Sequence, residues 1–430
     1  MPSINSLNLN VSNLSKSATL AINERCREMR KIGKKIYNFG LGQSPFPVPE
    51  PVRKALADNA HQKDYLAVEG LPELRHAIAD YYSKRNGCSY DYDQVLIGPG
   101  SKELMFLLQL VYYGDLVIPI PSWVSYAPQA RILGRQVQWL PTITENSWML
   151  SAEMLDKHCR EDPDRPRIVI INYPSNPTGT TLGESHLKEV AEVAGKYDVV
   201  LLSDEIYSEL HYEDNHLSIA RYYPEGTIIS GGLSKWCGAG GWRLGAFVFP
   251  ESQNRLLKSM SVAASETFTS TCAPVQYAAV TAYRKNPEID EYLRKCRHIL
   301  KMLGRYCSSN MRSAGISVPE PEGGFYLFPD FGRFREQLAK KSITDNKSLC
   351  EYLLERTGIA TLYGSAFGCP ASDLSLRMAF VDFDGARALR LYDEHKPSDK
   401  NENKFLNHAC PDVLEGVQRL TDEVNSWKNW

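Results

Sequence analysis

The chain has 430 residues, of which 43% are hydrophobic and 23% charged, a balance that excludes a disordered, collagen-like or disulfide-stapled protein. Lys plus Arg number 49 against Asp plus Glu 51, so the net charge of -2 supplies no long-range field for gathering nucleic acid or anionic lipid. At roughly 100 to 200 residues per domain, the length predicts a multi-domain enzyme with room for a cleft.

The N-terminal stretch MPSINSLNLNVSNLSKS has neither a basic leader nor an apolar core, and no run approaches the ~18 apolar residues of a membrane span. A cytoplasmic protein with no nucleic-acid or membrane partner is expected. The ten cysteines are scattered, with no CxxC pair and no histidine doublet to complete a zinc site, so they read as reduced thiols and no metal is expected.

In chain order, FGLGQSPFPVPEP is too rich in Pro and Gly to be regular and reads as a loop. Leu74, Ala77, Ile78 and Tyr81 then mark an amphipathic helix with Pro72 near its first turn, where a missing N–H costs little. Seven short apolar runs follow as buried strands: 95 to 97, 116 to 120, 137 to 140, 168 to 171, 199 to 202, 227 to 229 and 246 to 249. Between them the apolar period changes to that of a helix, as in Leu187, Val190, Ala191 and Ala194 behind Ser185 as a cap. The alternation predicts an α/β fold with a mostly parallel sheet. After about residue 300 the pattern is mixed: a helix, the strand-like GGFYLF at 323 to 328, a helix near 348 to 356 and LSLRMAF at 374 to 380, together a smaller α+β domain. The polar stretch 395 to 411 reads as an exposed insertion.

Ligands of open α/β sheets sit beyond the carboxyl ends of the strands, so the residues after each run carry the chemistry. There stand Asn176 in NYPSNPTG, Asp204 and Tyr207 in SDEIY, Ser234 and Lys235 in GGLSK, and Trp123 in PSW. A lysine whose pKa is lowered is a nucleophile toward carbonyls, and Schiff-base chemistry with pyridoxal phosphate is its main use. That cofactor needs a carboxylate to keep its pyridine nitrogen protonated, for which Asp204 suits, and donors to its phenolic oxygen, for which Tyr207 and Asn176 are at hand. Its phosphate needs a cation and backbone N–H groups, which Arg243 and the turn Gly100-Ser101-Lys102 offer. Bland readings compete: Trp123 as core, Asp204 as a helix cap, Arg377 as an ordinary strand ion pair. Two rival motifs lack residues they need. Glu103 stands where a dinucleotide fingerprint requires its third glycine, and the turn before Lys235 lacks the final glycine of a hydrolase elbow.

NYPSNPTG, SDEIY and GLSKWCGAGGWRLG resemble the signature segments of class I/II aminotransferases, fold type I pyridoxal-phosphate enzymes, and are most similar to the bacterial-type aspartate aminotransferases. Gly40-Leu41-Gly42, YLAVEGLPELR, GPGSKEL, PSWVSY, PEGGFYLFPD and GSAFGCPASDLSLRMAF extend the likeness over residues 14 to 393. The resemblance implies a large domain with a seven-stranded, mostly parallel sheet over residues 46 to 300, a small α+β domain over 301 to 430, and an N-terminal arm and part of the small domain over 1 to 45. It implies that Lys235 carries pyridoxal 5'-phosphate and moves the α-proton, that Asp204 pairs with the pyridinium, that Tyr207 and Asn176 bond the phenolic oxygen and that Trp123 stacks on the ring. By the same likeness Arg243, Gly100, Ser101 and Ser234 hold the phosphate, and Tyr65 reaches the phosphate of the other subunit, hence a homodimer. Arg377 forks the substrate α-carboxylate, Gly42 assists it through its backbone, and Lys102 binds a distal carboxylate, with Ser17 and Thr19 in a covering segment. Amino acids and 2-oxo acids are the implied substrates, aspartate with 2-oxoglutarate first; aromatic or alanine transfer and a C–S β-lyase on the same fold are alternatives. A non-catalytic amino-acid sensor would want an appended DNA-binding module, and none is seen. The sequence departs from the pattern at Gly231-Gly232 before the lysine, at Lys16 and in the stretch 395 to 411, and the N-terminal departure bears on side-chain specificity.

Overall fold

The computed structural model describes residues 8–12, 14, 16–142, 147–398 and 400–429. Strand β1 (Tyr37–Asn38) pairs in parallel with β10 (Ile359–Ala360), tying the segment before the Pro-rich loop to the C-terminal half. The central sheet holds β2 (Val95–Gly98), β3 (Asp115–Ile120), β4 (Val137–Pro141), β5 (Arg167–Asn172), β6 (Val200–Asp204), β7 (Thr227–Gly232) and β8 (Gly245–Val248). Among the described residues its order is β2-β8-β7-β6-β5-β3-β4, and only β8 runs antiparallel to its neighbours. All seven apolar runs of the sequence are therefore strands of one sheet.

Apart from VQWL on the edge strand β4, the runs lack polar alternation because both sheet faces are covered. Ile168 and Ile170 of β5 join Leu202 of β6 in a core beneath the helices Ser101–Val111 and Asn254–Ser265. Val169, Ile171 and Leu201, one residue out of step, pack on the other side against Leu187, Val190, Ala191 and Ala194. The helix bearing those four spans Glu184–Lys196 with Gly183 at its N-cap, so Ser185 lies inside the first turn and does not cap it. The helix Pro72–Asn86 opens on Pro72, as its pattern predicts, and ends at Gly87 in the left-handed region (φ 68°).

Beyond the sheet, the helix Pro287–Ala314 runs for 28 residues through the boundary expected at 300. A second sheet has the order β11-β12-β9, built from β9 (Tyr326–Leu327), β11 (Leu362–Tyr363) and β12 (Leu376–Ala379). The apolar run at 323 to 328 thus supplies only two strand residues, because Gly324 takes φ 64° and breaks the extended path. The expected exposed insertion at 395 to 411 is corrected more sharply: Glu402–Ala409 is a helix whose Phe405, Leu406 and Ala409 are buried in the largest core cluster. Its apolar residues recur at i, i+1 and i+4, a stripe diluted by Asn, Lys and His on the outer face. Seven of the ten cysteines are buried and none forms a disulfide. Among the described residues no helix is long and apolar enough to cross a membrane, and no cluster of three or more His, Cys, Asp or Glu could hold a metal ion.

Candidate active site

Parallel register brings Asn172, Asp204 and Ser230 side by side at the ends of β5, β6 and β7. Antiparallel β8 enters the sheet from the same edge, with Gly245 opposite both Gly98 and Gly232, so Arg243 just before it meets the turn after β2. These ends enclose a cavity of about 310 Å³ lined by Ser101, Lys102, Trp123, Asn176, Tyr207, Ser234, Lys235 and Arg243, with Asp204, Asn172 and Ile206 at its floor.

Asp204 is 3% exposed. The Tyr126 hydroxyl donates to its Oδ2 at 2.6 Å and the Ser230 hydroxyl to its Oδ1 at 3.3 Å, while Asn172 Nδ2 donates to its main-chain oxygen at 2.7 Å. Burial pushes the carboxyl up to about 6, and the bonds from Tyr126, the Ile206 N–H and Ser230 oppose that rise. The helix-cap reading fails, since the short helical turn Ser208–Leu210 has Tyr207 at its N-cap. Behind the floor, Glu205 is buried against His216 Nε2 (3.2 Å) and the Ser203 hydroxyl (2.9 Å). Burial acts to raise that carboxyl, but His216, Ser218 and Ser203 outweigh it and hold it low.

At the opposite end Gly100 caps the helix Ser101–Val111 with φ 93°, and a Cβ there would lie 2.3 Å from Arg243 Nη2. Arg243 itself is left-handed (φ 56°) and donates to the carbonyls of Gly240 (2.9 Å) and Pro99 (3.4 Å), leaving a guanidinium next to a helix N-terminus. Both features build a place for an anion.

Lys235 Nζ donates to the Gly42 carbonyl at 2.7 Å. Burial first, then the Arg377 guanidinium, bring its ammonium down to about 8 against the pull of Asp204. Arg377 is 3% exposed, donates to the Gly40 carbonyl, and reaches Asn176 Oδ1 at 3.4 Å. It forms no ion pair among the described residues and its Nε finds no hydrogen-bond partner, so the ordinary strand ion pair is ruled out. Lys102 extends over the Trp123 ring, 4.9 Å from its centre, and partial burial with the nearby Arg243 lowers its pKa. Tyr65 is 89% exposed and takes no part in the cavity of its own chain. Ser17 caps the helix Ala18–Lys31 by accepting from the Leu20 N–H.

Residues 34–388 match the family model of aminotransferase class I and II. The chain belongs to that family. Among curated relatives, this aminotransferase is 32% identical over 369 residues to an aspartate aminotransferase of Geobacillus stearothermophilus, covering 84% of this chain and 91% of the relative. It is 31% identical over 370 residues to a probable aspartate/prephenate aminotransferase of Aquifex aeolicus, with the same coverage of 84% and 91%. Of solved structures, the aspartate aminotransferase from Thermus thermophilus with maleate superposes with a TM-score of 0.81 at 26% identity, covering 97% of this chain and 99% of that one. The aspartate aminotransferase from Rhizobium meliloti gives 0.83 at 25%, covering 98% and 99%.

The fold of the aminotransferase thus brings Ser101, Lys102, Trp123, Asn176, Asp204, Tyr207, Ser234, Lys235 and Arg243 around one cavity, with Gly100 against Arg243 and with Gly42 and Arg377 joined to it through Lys235 and Asn176, whereas Tyr65, Ser17 and Thr19 do not line it. Four participants escaped the sequence reading: Asn172, Tyr126, Ser230 and Tyr326. Asn172 Oδ1 accepts from the Asn176 N–H at 2.7 Å and so shapes the loop that presents Asn176. Its place one strand over from Asp204 was the signal, but that needs register, which apolar runs do not reveal. Tyr326 stands 2.8 Å from Tyr207 through their hydroxyls, inside the strand-like run at 323 to 328.

Proposed function

We propose that this aminotransferase works with pyridoxal 5'-phosphate held on Lys235 and transfers the amino group of aspartate to 2-oxoglutarate. The observation that carries the reading is a lysine amine, held by the Gly42 carbonyl at 2.7 Å, sharing one cavity with the buried Asp204 carboxylate, where burial lowers the pKa of the amine. The donor set suits that group at each end: Asp204 for a pyridine nitrogen, Tyr207 and the Asn176 amide for a phenolic oxygen, Trp123 for the ring face. Arg243, Ser101, Ser234 and the N–H groups after Gly100 suit a phosphate. When bound, the cofactor supplies a carbonyl that takes up the amino group and a ring that draws electrons from the substrate Cα.

The chain's own residues do the rest. At neutral pH a measurable fraction of Lys235 is unprotonated, so its Nζ serves as nucleophile and afterwards takes the proton from the substrate Cα and returns it one step on. Asp204 keeps a proton on the pyridine nitrogen, and Tyr126 with Ser230 hold its carboxylate in place while it does so. Arg377, with no carboxylate of its own chain, offers its planar donor pair to the substrate α-carboxylate beside the Gly42 backbone. Burial removes competing water from that pair.

For the side chain, Lys102 holds its ammonium over Trp123, and an ammonium in the first turn of a helix opposes the dipole unless an anion compensates it. The relatives named for aspartate and for aspartate/prephenate support a second carboxylate on the substrate. Ser17 and Thr19 belong to the segment assigned to cover it. We place the cofactor-binding part at 46–300, the smaller part at 301–430 with 1–45 as arm, and a cytoplasmic homodimer completed by Tyr65 of each chain.

The test is a panel of donors with one acceptor. Adding pyridoxal phosphate should give a visible absorption band that aspartate shifts. Lys102→Ala should lower kcat/KM for aspartate roughly 10- to 150-fold, the equivalent of a charge-assisted contact, and change that for asparagine, alanine or phenylalanine much less. Equal losses for acidic and neutral donors would refute the aspartate assignment and point to an aromatic or alanine donor.

A further inference from the structure

Tyr326, on β9, is 1% exposed and held on three sides. Its hydroxyl lies 2.8 Å from the Tyr207 hydroxyl and 3.4 Å from the Gly42 carbonyl, and the Arg377 guanidinium rests 4.9 Å above its ring. A Cβ on Gly42 would come within 2.1 Å of its Oη, and one on Gly179 within 2.3 Å of its carbonyl oxygen. A tyrosine so placed is poorly explained as filler, because a phenylalanine would fill the same volume without needing a partner for a hydroxyl.

Two hydroxyls at 2.8 Å share a single proton between them, so only one can be the donor. In one polarity Tyr207 donates to Tyr326 and Tyr326 donates to the Gly42 carbonyl, which also accepts from Lys235. In the other Tyr326 donates to Tyr207, whose own proton turns into the cavity, and the Gly42 carbonyl is left to Lys235 alone. An acceptor in the cavity selects the second arrangement, and two donors in series strengthen each other.

We propose that Tyr326 is a further positioning residue, whose O–H turns from the Gly42 carbonyl to the Tyr207 oxygen when the cavity fills and so directs the Tyr207 proton into the cavity. The inference rests on the reading of Lys235 and Tyr207 as cofactor residues. It also links β9 to the loop after β6 through a hydrogen bond whose direction depends on occupancy.

A donor to the cofactor's phenolic oxygen stabilises the negative charge left when the Lys235 nitrogen loses its proton, and so lowers the pH at which that loss occurs. The charged groups acting on Lys235 are Arg377, Asp204, Lys102 and Arg243, and none is altered by changing Tyr326. Titrating the visible band of the substrate-free holoenzyme should therefore show a midpoint raised by roughly 0.2 to 0.7 pH unit in Tyr326→Phe, the scale of a 10 to 30% weakening of a charge-assisted bond. In a Tyr207→Phe background the same change should add nothing. Gly42→Ala, which keeps the hydroxyl but displaces it, should move the midpoint in the same direction, and melting of the apoproteins within a few degrees of each other should accompany these shifts. An unmoved midpoint in Tyr326→Phe, or an equal shift without Tyr207, would overturn the proposal. Absence of any visible band in the wild type would instead overturn the cofactor reading beneath it.

Discussion

Asp204 shows how much one side chain depends on neighbours that a motif does not flag. SDEIY identifies the carboxylate, but its orientation comes from Tyr126, three residues after Trp123 on the next turn, and from Ser230 across the register of β7. Asp204→Ala should abolish tight cofactor binding and cripple turnover, whereas loss of a mere helix cap would cost about 0.5 to 2 kcal/mol of stability and leave activity alone. Measuring cofactor affinity and the melting temperature on one variant separates the two, and a change in melting alone would remove Asp204 from the site. Lys235→Ala should leave a folded protein that binds pyridoxal phosphate without a covalent link and turns over orders of magnitude more slowly. Full turnover in that variant would end the assignment. The residue types of the site are thus readable from strand ends, while the role of Tyr326 is not, because a hydrogen bond between residues 119 positions apart leaves no local trace, and that of Asn172 needs the register that sets it beside Asp204.

At the scale of elements, the sequence pattern was most informative where burial is two-sided and least where polar residues cover one face. The strands of the central sheet carry short apolar runs, interrupted only by polar residues such as Gln138 in β4, and the runs match the strand ends to within three residues. The stretch 395 to 411 reads as an exposed insertion because its polar composition outweighs the three apolar positions that the helix Glu402–Ala409 buries. Phe405 is 1% exposed and packs edge-on against Tyr392, so Phe405→Ala should cost about 3 to 5 kcal/mol in urea melts. The kinetics of the remaining folded enzyme should be unchanged, and a destabilisation below ~1 kcal/mol would restore the idea of a loose insertion. The turn at Gly100 is the converse case, small and functional. Gly100→Ala must take φ 93° and bring a methyl within 2.3 Å of Arg243 Nη2, so it should weaken binding of pyridoxal phosphate far more than that of unphosphorylated pyridoxal. Equal weakening of both would show that Arg243 does not meet the phosphate.

On the scale of the whole molecule, the site carries a stability cost that depends on pH. Lys235 has its pKa lowered from 10.5 to about 8 in the folded chain, so between those values the unfolded chain binds the extra proton. Stability therefore rises with pH across that window, and the penalty is fully present below about pH 8. Its upper limit is on the order of 3 kcal/mol, reduced by the water that reaches a partly exposed Nζ through the open cavity. Asp204 behaves in the mirror sense: its pKa is raised from 3.8 to about 6, so its penalty appears as pH climbs through that range and persists above it. Near neutral pH both charges are thus held at a cost that the packed sheet around them must offset. Lys235→Met in the apoprotein should consequently be more stable than wild type at pH 7, with the advantage shrinking steadily from pH 8 to 10.5. Urea unfolding of the two proteins in parallel reads this difference while cancelling the groups that do not act on Lys235, and Asp204, which does, titrates near pH 6, below the window from pH 8 to 10.5. Saturating pyridoxal phosphate should reverse the order, because the wild type gains binding energy through a covalent link that methionine cannot form. A variant no more stable than wild type at pH 7, or an advantage that grows above pH 8, would mean that Lys235 is not held against its own charge and that its reactivity has another source.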